Sequence, residues 1–185
     1  MKPYLILYFS KTGNSKFMAH KLASELACDI EPIQPRIQNL VILLLLSWMK
    51  LGIPVKGSSS RLQQYREIII FGPIWAGLLI APLRTIIKQC MHTAKPIHFA
   101  LTCESKESDK DGKYGYNHVL AQAHALGGKH IKSTEAFSTS WVTDFKEGFQ
   151  MKISNKIKFS DDNFSAALQA KLHAFAERIA ENTVA

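Results

Sequence analysis

The chain has 185 residues, of which 46% are hydrophobic and 21% charged; this is the size and composition of one globular domain with a sizeable core, and it excludes a disordered or fibrous chain. Cys28, Cys90 and Cys103 are an odd number with no Cys-x-x-Cys spacing, which argues against a disulfide framework and suits reduced thiols. The 23 Lys and Arg outnumber the 15 Asp and Glu to leave a formal net charge of +8, but the lysines are dispersed and not interleaved with aromatics on one element, so they read as a solvated surface and not as a nucleic-acid face.

No basic region, apolar core and cleavage site is legible at the amino terminus, so the expected compartment is the cytoplasm. The first element is a buried strand near residues 3 to 9, and it gives way at Ser10-Lys11-Thr12-Gly13-Asn14-Ser15 to a helix expected over Asn14 to Leu26. Such a junction suits a phosphate. Hydroxyls of Ser10, Thr12 and Ser15 donate, Gly13 lets the backbone turn closely, and the amides of the first helical turn point the same way. The plainer alternative is a polar loop with a capping serine. Three other phosphate loops fail on these residues. A nucleoside-triphosphate loop needs a second glycine and Lys-Ser or Lys-Thr; a dinucleotide fingerprint needs three spaced glycines; a phosphatase loop needs a cysteine nucleophile, and Cys28 lies beyond the helix.

A second strand is expected near 28 to 34. It is followed by Leu40 to Met49, apolar throughout except for Ser47. Ten residues are far short of the roughly 20 that cross a bilayer, so no membrane span is expected. Leucine-rich composition favours a helix, and one apolar all round has to bury more than one face, either beneath the 50 to 65 segment or in a homodimer, both preferred here to attachment to a membrane surface. Lys56 to Ser60 reads as a surface turn. The third strand, near 66 to 72, runs into Pro73-Ile74-Trp75-Ala76-Gly77 and a helix from Pro82 to His92.

A fourth strand near 96 to 103 leads into a long loop from Thr102-Cys103-Glu104-Ser105 to Lys113-Tyr114-Gly115-Tyr116. A helix over Tyr116 to Leu126, a strand near 130 to 138 and a last helix over Phe164 to Glu181 complete the chain. This alternation predicts an α/β domain spanning residues 1 to 185, a doubly wound parallel sheet of five strands covered on both faces. Ligands of that architecture sit beyond the carboxyl ends of the strands, where the loops after the first, third and fourth strands converge. The seven histidines show no ligand spacing with a carboxylate, so no metal site is expected. No Gly-x-Ser-x-Gly elbow is present.

The Tyr-Phe-Ser-Lys-Thr-Gly-Asn-Ser run and the Pro-Ile-Trp-Ala-Gly run before a proline-started helix together resemble the flavodoxin family. The resemblance covers the first loop, the third strand with its loop and helix, and more loosely the fourth and fifth strands; the span from Arg36 to Gln64 matches only in kind. It implies a three-layer fold of strand order 2-1-3-4-5 and noncovalent FMN. The phosphate would be held by Ser10, Thr12, Gly13, Asn14 and Ser15, with Lys11 at the rim. Trp75, within Pro73 to Gly77, would lie on one ring face. Backbone groups of Thr102, Cys103, Glu104 and Ser105 would meet the ring's heteroatoms, Tyr114 would stack or gate, and the Leu40 to Met49 segment offers an apolar wall beside the ring. Cys103, with no partner cysteine, reads as a small buried residue and not as a redox thiol.

The implied activity is transfer of reducing equivalents from NAD(P)H or a protein donor to a small acceptor such as a quinone, with a noncatalytic one-electron carrier between redox proteins as the alternative. Carriers of the family tend to be acidic. A net positive field favours the negatively charged reduced flavin, which leans toward two-electron chemistry.

Overall fold

The computed structural model describes residues 2–57, 59–142 and 158–184. Five strands, β1 (Lys2–Tyr8), β2 (Asp29–Pro32), β3 (Tyr65–Pro73), β4 (Ile97–Cys103) and β5 (Ile131–Ser138), pair in parallel in the order β2-β1-β3-β4-β5. All of β4 and all of β3 except Arg66 and Pro73 are buried, as an apolar run requires when both sheet faces are covered. Alternation along the strands divides the core in two. Leu5, Leu7, Ile68 and Ile70 face α2 (Leu40–Trp48), α4 (Ala81–His92) and α5 (Tyr116–Gly127), whereas Ile6, Ile69, Phe71 and Phe137 face α1 (Asn14–Leu26) and α6 (Ala166–Val184). The order and three-layer build are those expected.

Element ends differ where local hydrogen bonding decides them. β2 stops at Pro32, short of the expected residue 34. Ile33 still donates to the Tyr8 carbonyl at 2.7 Å, but Pro35 then bridges Val55 in the antiparallel sense and the chain leaves the sheet. The last helix starts at Ala166 and not at Phe164, because Asp161–Asn163 forms a separate short turn in which Asn163 Oδ1 accepts from Ser160 N. A one-turn helix, α3 (Ser59–Leu62), occupies part of the expected Lys56 to Ser60 turn, while Ser58 lies outside the described residues.

The apolar segment departs most from expectation. Leu40–Trp48 is a helix, its first turn capped by Asn39 Oδ1, which accepts from Val41 N and Ile42 N. Only Leu43 and Ser47 within it are buried; Val41 is 73% and Trp48 70% exposed. Deep packing on more than one face is therefore overturned. The physical reason is that α2 meets α4 along one stripe, with Ser47 Oγ donating to the Leu43 carbonyl and accepting from Ala81 N at 2.8 Å. The single hydroxyl of the segment thereby caps the neighbouring helix and fixes which side of α2 faces inward. No described helix is long and apolar enough to cross a membrane.

Candidate functional site

At the carboxyl edge of the sheet the loops after β1, β3 and β4 surround a cleft of about 710 Å³. Lys11, Thr12 and Asn14 line it from the first loop and Pro73 to Gly77 from the second. Thr102 to Ser105 and Tyr114 line it from the third. Ser10, Gly13 and Ser15 do not line it. Leu40 and Leu44 of α2 do, although they are absent from the residues proposed individually from sequence. Their signal was the unbroken apolar run, which points to a wall but not to which of its residues forms one.

The first loop is built by its own side chains. Gly13 has φ +103°, a left-handed backbone that a side chain disfavours, and its N–H donates to Ser10 Oγ at 3.1 Å. Ser10 thus stabilises the bend. Ser15 is buried, and its Oγ lies 2.7 Å from Thr102 Oγ1, which ties the first loop to β4. The expectation that this hydroxyl faces a ligand gives way to a buried link between the first turn of α1 and β4. Asn14 is also buried, and its Oδ1 accepts from Phe159 N. Thr12 is half-buried at the cleft, while Lys11 is exposed and reaches the Gln38 carbonyl at the start of the segment leading into α2.

The second loop closes on itself. Leu78 N donates to the Trp75 carbonyl at 3.0 Å, and the two residues between, Ala76 (φ +49°) and Gly77 (φ +71°), are both left-handed. This is the backbone of a tight turn of the hairpin kind. Trp75 is half-buried, with its indole edge-on to Phe9 at 5.7 Å. A Cβ on Gly77 would lie 2.9 Å from the Lys113 carbonyl oxygen and 3.2 Å from Tyr114 Cα, so the second and third loops touch there. From behind, Gln122 of α5 donates to the Gly77 carbonyl and accepts from Leu79 N. The buried Arg84 joins it, Nη2 to Gln122 Oε1 and Nε to the Leu79 carbonyl.

The third loop is long but pinned at its base. Ser105 Oγ donates to the Tyr114 carbonyl, Ser138 Oγ donates to the Ser105 carbonyl, and Tyr116 Oη donates to Glu107 Oε2 at 2.6 Å. Tyr114 is 56% exposed at the rim, with the Lys113 ammonium over its ring. Cys103 is buried, and burial pushes its thiol up to about 11. A thiol protonated at neutral pH is a poor nucleophile, which fits the packing role. No cluster of His, Cys, Asp and Glu that could hold a metal occurs among the described residues.

Solved structures with the same fold include a flavoprotein in complex with FMN from Lactobacillus acidophilus NCFM, at TM-score 0.59 and 17% identity, covering 74% of this chain and 93% of that one. Oxidised flavodoxin 1 from Bacillus cereus matches at TM-score 0.53 and 15% identity over 97% and 98% of the two chains. The Trp repressor binding protein from Bacillus subtilis matches at TM-score 0.52 and 12% identity over 95% and 99%. No protein-family model and no curated protein matches the sequence. At these identities the comparisons show the flavodoxin-like fold.

Proposed function

We propose that this chain binds FMN noncovalently in the three-loop cleft and passes reducing equivalents from NAD(P)H or a protein donor to a small acceptor such as a quinone. One observation carries the reading. The loop that the left-handed Gly13 bends into the amino terminus of α1, which lines the cleft through Lys11, Thr12 and Asn14, meets the Trp75 turn and the Thr102 to Ser105 strand end around a single cleft. A cofactor with a phosphate tail and a flat apolar ring needs that combination. The fit is chemical as well as spatial: Thr12 and first-turn amides suit an anion, while Trp75, Leu40 and Leu44 suit an apolar ring. The neighbours of the same fold, one of them holding FMN, support the assignment.

When bound, FMN supplies the electron-transfer chemistry, and the protein's residues bind, orient and exclude water. Thr12 and the amides around Gly13 and Asn14 hold the phosphate, with Lys11 adding charge at the rim. Trp75 and the α2 leucines cover apolar surface of the ring. Backbone groups of Thr102, Cys103, Glu104 and Ser105 set its orientation, and Tyr114 guards the entrance. Lys11 in the first loop and Lys106 and Lys113 in the third are the lysines that would meet a nicotinamide phosphate.

The rival reading, a one-electron carrier between redox proteins, is favoured by the near-complete overlap with the Bacillus cereus flavodoxin. An absorbance spectrum of the purified protein, with the cofactor identified after denaturation, tests FMN binding; a colourless protein that ignores added FMN overturns it. Stopped-flow oxidation of NADPH in the presence of a quinone then separates the two roles. Turnover marks the enzyme. No turnover, with two well-separated one-electron potentials, marks the carrier.

A further inference from the structure

The geometry points to a docking face on α2 that seats on an anionic lipid surface, with the mouth of the cleft beside it. Ile37, Leu40, Val41, Ile42, Leu45, Trp48, Met49 and Leu51 are exposed large apolar residues within one short stretch, while among the other described residues only Tyr114 and Trp141 are so exposed. Val41, Leu45 and Trp48, at helical spacing i, i+4, i+7, form one outward stripe. Soluble monomers rarely expose so contiguous a patch without a partner.

This exposure is built into the fold. Asn39 caps the helix, Ser47 anchors it to Ala81, and Thr85 Oγ1 both accepts from Ile53 N and donates to the Ile53 carbonyl at 2.8 Å, which fixes the chain leaving it. The Pro35–Val55 bridge closes the excursion at its base.

Charge selects the occupant. Between Glu31 and Glu67 the sequence contains no Asp or Glu, and it carries Arg36, Lys50, Lys56, Arg61 and Arg66. Arg36, Lys50 and Lys56 are exposed, and Arg61 pairs with Glu31 on the edge strand. An apolar face with a terminal tryptophan and purely cationic flanks is complementary to the headgroups and acyl boundary of an anionic bilayer. A second copy applied face to face would set the same cations against each other. The helix is nine residues long, so it lies on the surface and does not span it. Because Leu40 and Leu44 of the same helix line the cleft, docking puts the cleft mouth at the headgroup level.

Flotation of the purified full chain with vesicles of phosphatidylcholine, alone or mixed with phosphatidylglycerol, tests this. The protein is expected to float with the anionic vesicles, at least ten-fold more than with the neutral ones, and to be released by high salt. V41E/L45E is expected to lose flotation at an unchanged melting temperature, and K50E/K56E to lose the preference for anionic lipid. Absence of flotation, or equal flotation on neutral vesicles, overturns the proposal. So does a dimer by light scattering that V41E/L45E converts to monomer, since a second copy is then the occupant. The outcome is independent of the redox reading: colourless protein that ignores added FMN but floats sinks only that reading, and yellow protein that does not float sinks only this one.

Discussion

Ser15 Oγ and Thr102 Oγ1, 87 residues apart in sequence, lie 2.7 Å apart in the buried wall between the first loop and β4. The pair couples the loop expected to grip a phosphate to the strand expected to orient the ring, so a change at one end is felt at the other.

Ser15→Ala leaves the Thr102 hydroxyl buried without that partner and is expected to cost about 1–3 kcal/mol, whereas S15A/T102V, which removes both polar groups, costs less than the sum of its single changes. Urea unfolding of the four proteins gives the coupling directly. Additive behaviour would show that the hydroxyls do not interact.

Two glycines, Gly77 lining the cleft and Gly13 in the first loop beside it, separate backbone strain from collision. At Gly13 a Cβ meets nothing within 4 Å, so Gly13→Ala is charged only with the left-handed backbone, about 1–2 kcal/mol. At Gly77 the same strain adds to contact with Lys113 and Tyr114. Gly77→Ala is expected to lower the melting temperature more than Gly13→Ala and to displace the third loop, which Tyr114 fluorescence or proteolysis of residues 104 to 115 reports.

Trp75→Ala removes the flat aromatic wall and is expected to weaken FMN by about 1–3 kcal/mol, the usual worth of ring stacking on a base, while Trp141→Ala leaves affinity unchanged. Fluorescence titration with FMN checks both. Equal affinity of the Trp75 variant and the parent would remove the indole from the site.

The Gln122 side chain holds the second loop by that loop's backbone, at the Gly77 carbonyl and Leu79 N. Gln122→Met is expected to cost about 1–3 kcal/mol, because the Gly77 carbonyl and Leu79 N lose their partner, and to weaken FMN although residue 122 does not line the cleft. A loss of stability with full affinity would confine the clamp to folding.

Burial raises the thiols of Cys28 and Cys103 to about 11 and that of Cys90 to about 12, from the ordinary 9.0. The unfolded chain then holds fewer protons than the folded one above pH 9, so stability falls as pH rises from 9 towards 12 and is flat, for these groups, below 9. Denaturation midpoints between pH 8 and 11 trace this loss, and Cys90→Ala is expected to make the alkaline slope shallower.

The alternation of helix with strand and the three converging loops were legible from residues alone, since a continuous apolar strand buried on both faces needs a helix on either side; the strand order came with the resemblance to the flavodoxin family. The glycine bend and the Pro-Ile-Trp-Ala-Gly run identified which ends matter because each encodes a local backbone state: Gly13 and Gly77 both sit at positive φ. Side-chain direction was not legible. Ser15 reads as a phosphate donor in the first loop until β4 brings Thr102 beside it, and Gln122 carries no local signal of its contact with Gly77.

Local sequence therefore dictated the elements, their alternation and the chemistry concentrated at one sheet edge, because propensity, periodicity and turn geometry act over a few residues. Packing settled what α2 does. Whether the eight apolar residues of α2 are interior or outward depends on the surface their neighbours offer, and the stripe bonded through Ser47 to Ala81 leaves Val41, Leu45 and Trp48 facing out. Burial is a property of the assembled neighbours and not of the segment, so no hydrophobicity pattern, however strong, specifies it by itself.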